Sequence, residues 1–124
     1  MAAHPRRIVV GYDGSGTSQR ALVAAADLVG YGSTLTVVSV HPADAPSAGK
    51  AIDQAREHLL RRQVSALYLD PLGEPADEIV GAARALDADL VVVGYAQRAL
   101  RGLELGSVSA EVLRRAHCDV LVVR

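Results

Sequence analysis

The stretch Arg7-Ile8-Val9-Val10-Gly11-Tyr12-Asp13-Gly14-Ser15-Gly16 is a short β-branched apolar run stopped by a small, polar turn. It reads as a buried strand and the turn that leaves it. Just downstream, Thr17 or Ser18 is placed to cap a helix, and Ala21, Leu22, Ala25, Leu28 and Val29 recur at helical spacing. Gly30 and Gly32 end that helix.

The same alternation continues to the end of the chain. Residues 33–41 read as a second strand and 42–49 as a loop. Residues 50–62 form a helix with Ile52, Ala55 and Leu59 on one face. A short strand over 65–69 meets the turn Asp70-Pro71-Leu72-Gly73. Pro75 then opens a helix whose buried stripe is Ile79, Val80, Ala83 and Leu86. A fourth strand spans 89–93, an extended loop 94–106, and a helix 107–116 with Val108, Val112, Leu113 and Ala116 facing inward. Asp119–Val123 is the fifth strand. Strands that are apolar throughout are covered on both faces, as in a parallel sheet. The expected fold is therefore α/β: a doubly wound five-stranded parallel sheet, order 3-2-1-4-5, with helices on both faces.

Composition bounds the rest. The 124 residues fit one domain, 1–124, and half of them are apolar. The core is aliphatic, because there is no Phe or Trp and only four Tyr. A net charge of −1 argues against a nucleic-acid or membrane-surface binder. With one cysteine, Cys118, no internal disulfide forms, and no apolar run approaches the ~20 residues of a membrane helix. A cytoplasmic protein is expected.

In such a sheet, ligands bind beyond the carboxyl ends of the strands where strand order reverses, here between strands one and four. The Asp13 turn and the segment 94–109 converge there. The second segment ends in Gly106-Ser107-Val108-Ser109 at a helix N-terminus, where free N–H groups and the helix dipole attract phosphate. Gly106 permits close backbone approach, and Ser107 and Ser109 add hydroxyl donors. Each feature also has a plainer reading: Gly-Ser as a helix cap, Asp13 as a turn residue.

These residues resemble the universal stress protein family over nearly the whole chain. The resemblance rests on Val9-Val10-Gly11-Tyr12-Asp13-Gly14-Ser15, on Gly73-Glu74-Pro75, on Asp89-Leu90-Val91-Val92-Val93-Gly94, on Leu105-Gly106-Ser107-Val108-Ser109 and on His117-Cys118-Asp119-Val120-Leu121-Val122-Val123. Nucleotide-binding members carry G-x2-G-x9-G-[ST] after strand four. The resemblance implies a regulatory stress-response module that binds ATP, with Mg²⁺ as its companion. Gly94 matches the first glycine and Gly106-Ser107 the last pair. Asp13 matches the acid near adenine and ribose, Val40 the strand-two position whose backbone meets adenine, and Val108 and Ser109 positions beside the phosphates. This chain departs from the pattern twice: the second glycine falls on Gln97, and the spacing from Gly94 to Gly106 is one residue short. Gln97 and the nearby Arg98 are additional candidate contacts.

No catalytic set assembles from named residues, which leaves slow ATP hydrolysis as the most such a pocket would do. A phospho-accepting receiver domain is disfavoured, since Asp13 has no adjacent acid and no lysine follows Lys50. The four histidines show no ligand spacing, and Cys118 reads as a small hydrophobe. Asp119–Val123 would form an apolar sheet edge, and the family commonly dimerises through this strand, so a homodimer is expected. The alternative function is a dimeric interaction protein of the same fold whose altered glycine loop has closed the nucleotide pocket.

Overall fold

The computed structural model describes residues 6–41, 49–95 and 106–124. In chain order the elements are β1 (Arg7–Gly11), α1 (Gly16–Leu28), β2 (Thr34–Val38), α2 (Gly49–Arg61), β3 (Leu67–Leu69), α3 (Pro75–Ala85), β4 (Leu90–Gly94), α4 (Ser107–Arg115) and β5 (Asp119–Val123). The strands form one parallel sheet in the order β3-β2-β1-β4-β5. The expected order holds, and the reversal point lies between β1 and β4.

Strand alternation divides the core into two layers. Ile8 and Val10 of β1, with Leu90 and Val92 of β4, pack against Ala21, Leu22 and Ala25 of α1 and Ala55 and Leu59 of α2. Val9, Val91 and Val93 face the other way, against Ile79, Val80 and Ala83 of α3 and Val112 of α4. Val9, Val10, Val91 and Val92 are all buried. Removing each such side chain from water contributes about 1.5–3 kcal/mol, which fixes the register of the central strands.

Several local expectations are corrected. The cap of α1 is Ser15, whose hydroxyl accepts the Ser18 N–H, rather than Thr17 or Ser18. Gly14, at φ +88, turns the chain so that the helix begins at Gly16. That helix stops at Leu28, with Val29 as its C-cap, and Leu28 lies on the surface. Leu113, expected inside, is 44% exposed. The strands are also trimmed at their ends: β1 ends at Gly11, β2 covers Thr34–Val38, and β3 is only three residues long.

Candidate functional site

At the carboxyl ends of β1, β2 and β4 the two core layers part and leave a cavity of about 340 Å³. Its lining includes four of the sequence-predicted residues: Asp13, Val40, Gly94 and Val108. Gly106, the N-cap of α4, and Ser107 and Ser109 in its first turn beside Val108 are not among the lining residues. Gln97 and Arg98 lie outside the described residues.

The floor is tied together by the strand ends. The Tyr12 N–H donates to the Val38 carbonyl at 3.0 Å, and the buried Ser39 hydroxyl donates to the Tyr12 carbonyl at 2.7 Å. Beyond this clamp, Asp13 leaves the sheet. Its Oδ1 accepts the Ser15 N–H at 2.9 Å, an Asx turn that fixes the carboxylate while its residue stays exposed. Asp13 is thus a turn residue that also lines the cavity, and its second oxygen is not taken up by the Ser15 N–H. Among the described lining residues it is the one carboxylate, and none is a cation.

The opposite wall is the start of α4. Gly106 occupies the N-cap position without a side-chain cap, so the first-turn amides of Ser107 and Val108 have no intrahelical acceptor. The Gly106 N–H itself donates to the Tyr95 carbonyl at 3.0 Å. Ser109, expected to offer its hydroxyl to a phosphate, is buried instead. Its Oγ donates within the fold, 2.8 Å from the Tyr95 carbonyl and 3.1 Å from that of Gly106. Ser109 therefore holds the two ends of the segment between Tyr95 and Gly106 together, which leaves the exposed Ser107 hydroxyl and the first-turn backbone amides as the donors of this helix start.

Gly94 has a structural reason of its own. A Cβ there would lie 2.9 Å from the backbone carbonyl carbon of Thr17 and 2.6 Å from its Oγ1. Its missing side chain lets α1 cross the end of β4. At Gly11, a Cβ would press on the tip of Ile79, 2.7 Å from Cδ1, with Val93 Cγ1 in ordinary contact at 3.5 Å, and would do so at the pocket floor.

Sequence reasoning missed Pro75 and Ile79, which bring α3 into the pocket, and the floor residues Gly11, Tyr12, Val38 and Val93. A signal existed for α3. In a 3-2-1-4-5 sheet its first turn also opens at the carboxyl ends of the strands. Cys118 packs against the α3/α4 core layer, where burial chiefly, and then the charges of Asp119 and Asp89, push its thiol pKa up. That is the opposite of an activated cysteine. Among the described residues, no group of three His, Cys, Asp or Glu is placed to hold a metal ion, and no helix is long and apolar enough to cross a membrane.

Comparison with known proteins agrees with this fold. The sequence profile of the universal stress protein family matches residues 4–70 and 72–124. A universal stress protein of Mycobacterium tuberculosis is 33% identical over 144 aligned positions, covering 99% of this chain and 98% of that protein. Among solved structures, a universal stress protein in complex with cAMP superposes with a TM-score of 0.81 at 31% identity, over 98% of both chains. The universal stress protein of Archaeoglobus fulgidus in complex with dAMP gives 0.71 at 27% identity, over the full length of both. On sequence and architecture alike, the chain belongs to the universal stress protein family.

Proposed function

We propose that this chain is a regulatory module that binds an adenine nucleotide in the cavity between β1 and β4. The observation that carries the reading is the pairing, across one cavity, of a fixed carboxylate at Asp13 with the uncapped N-terminus of α4. The base would lie against Val40, with Pro75 and Ile79 as apolar walls. Asp13 would accept from a ribose hydroxyl, and the Ser107 and Val108 amides would receive phosphate. The relatives solved with cAMP and dAMP support the same ligand class.

Within that class, a single phosphate is matched by the one helix terminus among the described residues, while Arg98, a further candidate contact, lies outside them. ATP is the next candidate. Its Mg²⁺ would be carried on the phosphates, with Asp13 the one carboxylate of the described lining to join them. Gln97 and the rest of the altered loop lie outside the described residues, and the described residues leave a cavity of about 340 Å³. A cytoplasmic, stress-responsive role and a homodimer formed through β5 complete the proposal. In β5, Leu121 is exposed and the Val120, Val122 and Val123 side chains are half-buried.

Calorimetric titration of nucleotide-stripped protein with AMP, cAMP and Mg-ATP tests the reading. Micromolar binding that weakens about tenfold in Asp13→Ala, the worth of a hydrogen bond to a charged group, supports it. No heat and no thermal shift at millimolar nucleotide would refute it and favour the interaction-protein reading.

A further inference from the structure

Tyr12 belongs to both sides of the sheet. It lines the nucleotide cavity, yet its ring is buried in the opposite core layer, among Ala21 and Leu22 of α1 and Ala55 of α2. The phenol reaches the rim of that layer, where its hydroxyl donates to Gln54 Oε1 of α2 at 3.4 Å. A bond of that length is weak and does not by itself account for where the Gln54 amide sits.

The same Oε1 has a second contact. It lies 3.0 Å from the point where a Cβ on Gly14 would stand. Gly14 holds φ at +88, a conformation open chiefly to glycine, and the Gln54 amide rests on the face of it that a side chain would occupy. A second amide meets the same residue: Gln19 Nε2 of α1 donates to the Gly14 carbonyl at 3.1 Å.

Gly14 is the middle residue of the turn in which Asp13 Oδ1 accepts the Ser15 N–H. A glycine without such contacts ranges widely in φ and ψ. Here side-chain amides from two helices restrict it, and the Asp13 N–H is bonded to Ser18 Oγ at 3.3 Å, so the carboxylate leaves an ordered turn. Gln19 arrives with the helix that the turn begins. Gln54 comes from 40 positions away (54 against 14), on a helix that adds nothing to the described lining of the cavity. α2 buries Ile52, Ala55 and Leu59 and extends Gln54 to the turn.

We propose that Gln54 is a positioning residue for the nucleotide. From α2 it holds Gly14, and through the turn the Asp13 carboxylate, in the orientation that receives a ribose hydroxyl. The proposal rests on the adenine-nucleotide reading above and adds to it a residue outside the cavity. Its effect is confined to the hydroxyl-binding end, because the phosphate donors stand on α4.

The test is a cycle of two proteins and two ligands, read by calorimetry. Wild type and Gln54→Ala are each titrated with AMP and with dideoxyadenosine monophosphate, which lacks both ribose hydroxyls. Gln54 is exposed and alanine is the better helix former, so the variant is expected to keep its thermal midpoint. Wild type is expected to bind AMP about tenfold tighter than the dideoxy ligand, as for a hydrogen bond to a charged group. Gln54→Ala should bind AMP about fivefold more weakly and the dideoxy ligand as wild type does, which cuts the preference for the hydroxyls to about twofold. A purely structural role would weaken both ligands alike. Equal loss for both, no loss for AMP, or no preference for the hydroxyls in wild type would overturn the proposal and leave nucleotide binding standing. A wild type that binds neither ligand would refute the nucleotide reading, and the proposal with it.

Discussion

Gly94 and Gly11 show how the same residue type carries two different burdens. At Gly94 the obstacle to a side chain is the backbone of Thr17, which cannot rotate away. Gly94→Ala is expected to cost about 1–3 kcal/mol in urea denaturation, an overpacking penalty. At Gly11 the obstacle is the flexible end of Ile79. Gly11→Ala should leave stability within about 1 kcal/mol but displace Ile79 within the pocket and weaken nucleotide binding, a split that denaturation and calorimetry read separately. Tyr12 adds a pH dependence. Burial chiefly raises its phenol above the ordinary value of 10.0, with the Asp13 charge adding to the rise and the Gln19 side chain opposing it. The folded state therefore holds that proton more tightly than the unfolded chain. The resulting stability is fully present below pH 10 and is lost as pH rises through the raised value. Tyr12→Phe should flatten that alkaline decline in a denaturation series taken from neutral pH upward. The first glycine of the loop pattern was legible in the sequence, but its contact with Thr17 was not, because that contact joins elements 77 positions apart (94 against 17).

The helix ends explain most of what local reading missed. Three hydroxyl residues close together, Ser15, Thr17 and Ser18, all qualify as caps by type. Only the positive φ of Gly14 selects Ser15, and φ is a property of the turn rather than of the capping residue. Ser15→Ala is expected to cost about 1 kcal/mol, measured by thermal or chemical denaturation. Likewise Ser109 looked like a phosphate donor because it sits in the first turn of α4, yet the Tyr95 carbonyl claims its proton. Ser109→Ala should destabilise the fold by about 1 kcal/mol, since Gly106 still satisfies that carbonyl. Leu113 was placed inside by spacing alone. The helix is short and packs on α3 through one narrow side, where Arg115 meets Asp77, so Leu113 falls on the outer flank.

The whole sheet was the most legible part, because continuous runs such as Leu90-Val91-Val92-Val93 leave few alternatives to a two-sided parallel strand. What strand order does not reveal is where coverage fails: among the described residues, Leu67 of β3 is 61% exposed, because two helices share one face of five strands. At the other edge, β5 is proposed to join two copies. Sedimentation should then give a dimer at tens of micromolar, and Leu121→Lys should yield monomers at the same concentration, whereas a wild-type monomer would sink the homodimer. The central claim is the placement of an adenine nucleotide across the β1/β4 crevice, and a ¹⁵N amide titration with AMP tests it most directly. The account predicts saturable shifts concentrated at Asp13, Val40, Ser107 and Val108, with those at Ser107 and Val108 absent when adenosine replaces AMP. Shifts confined to other parts of the chain, or none at millimolar AMP, would contradict it.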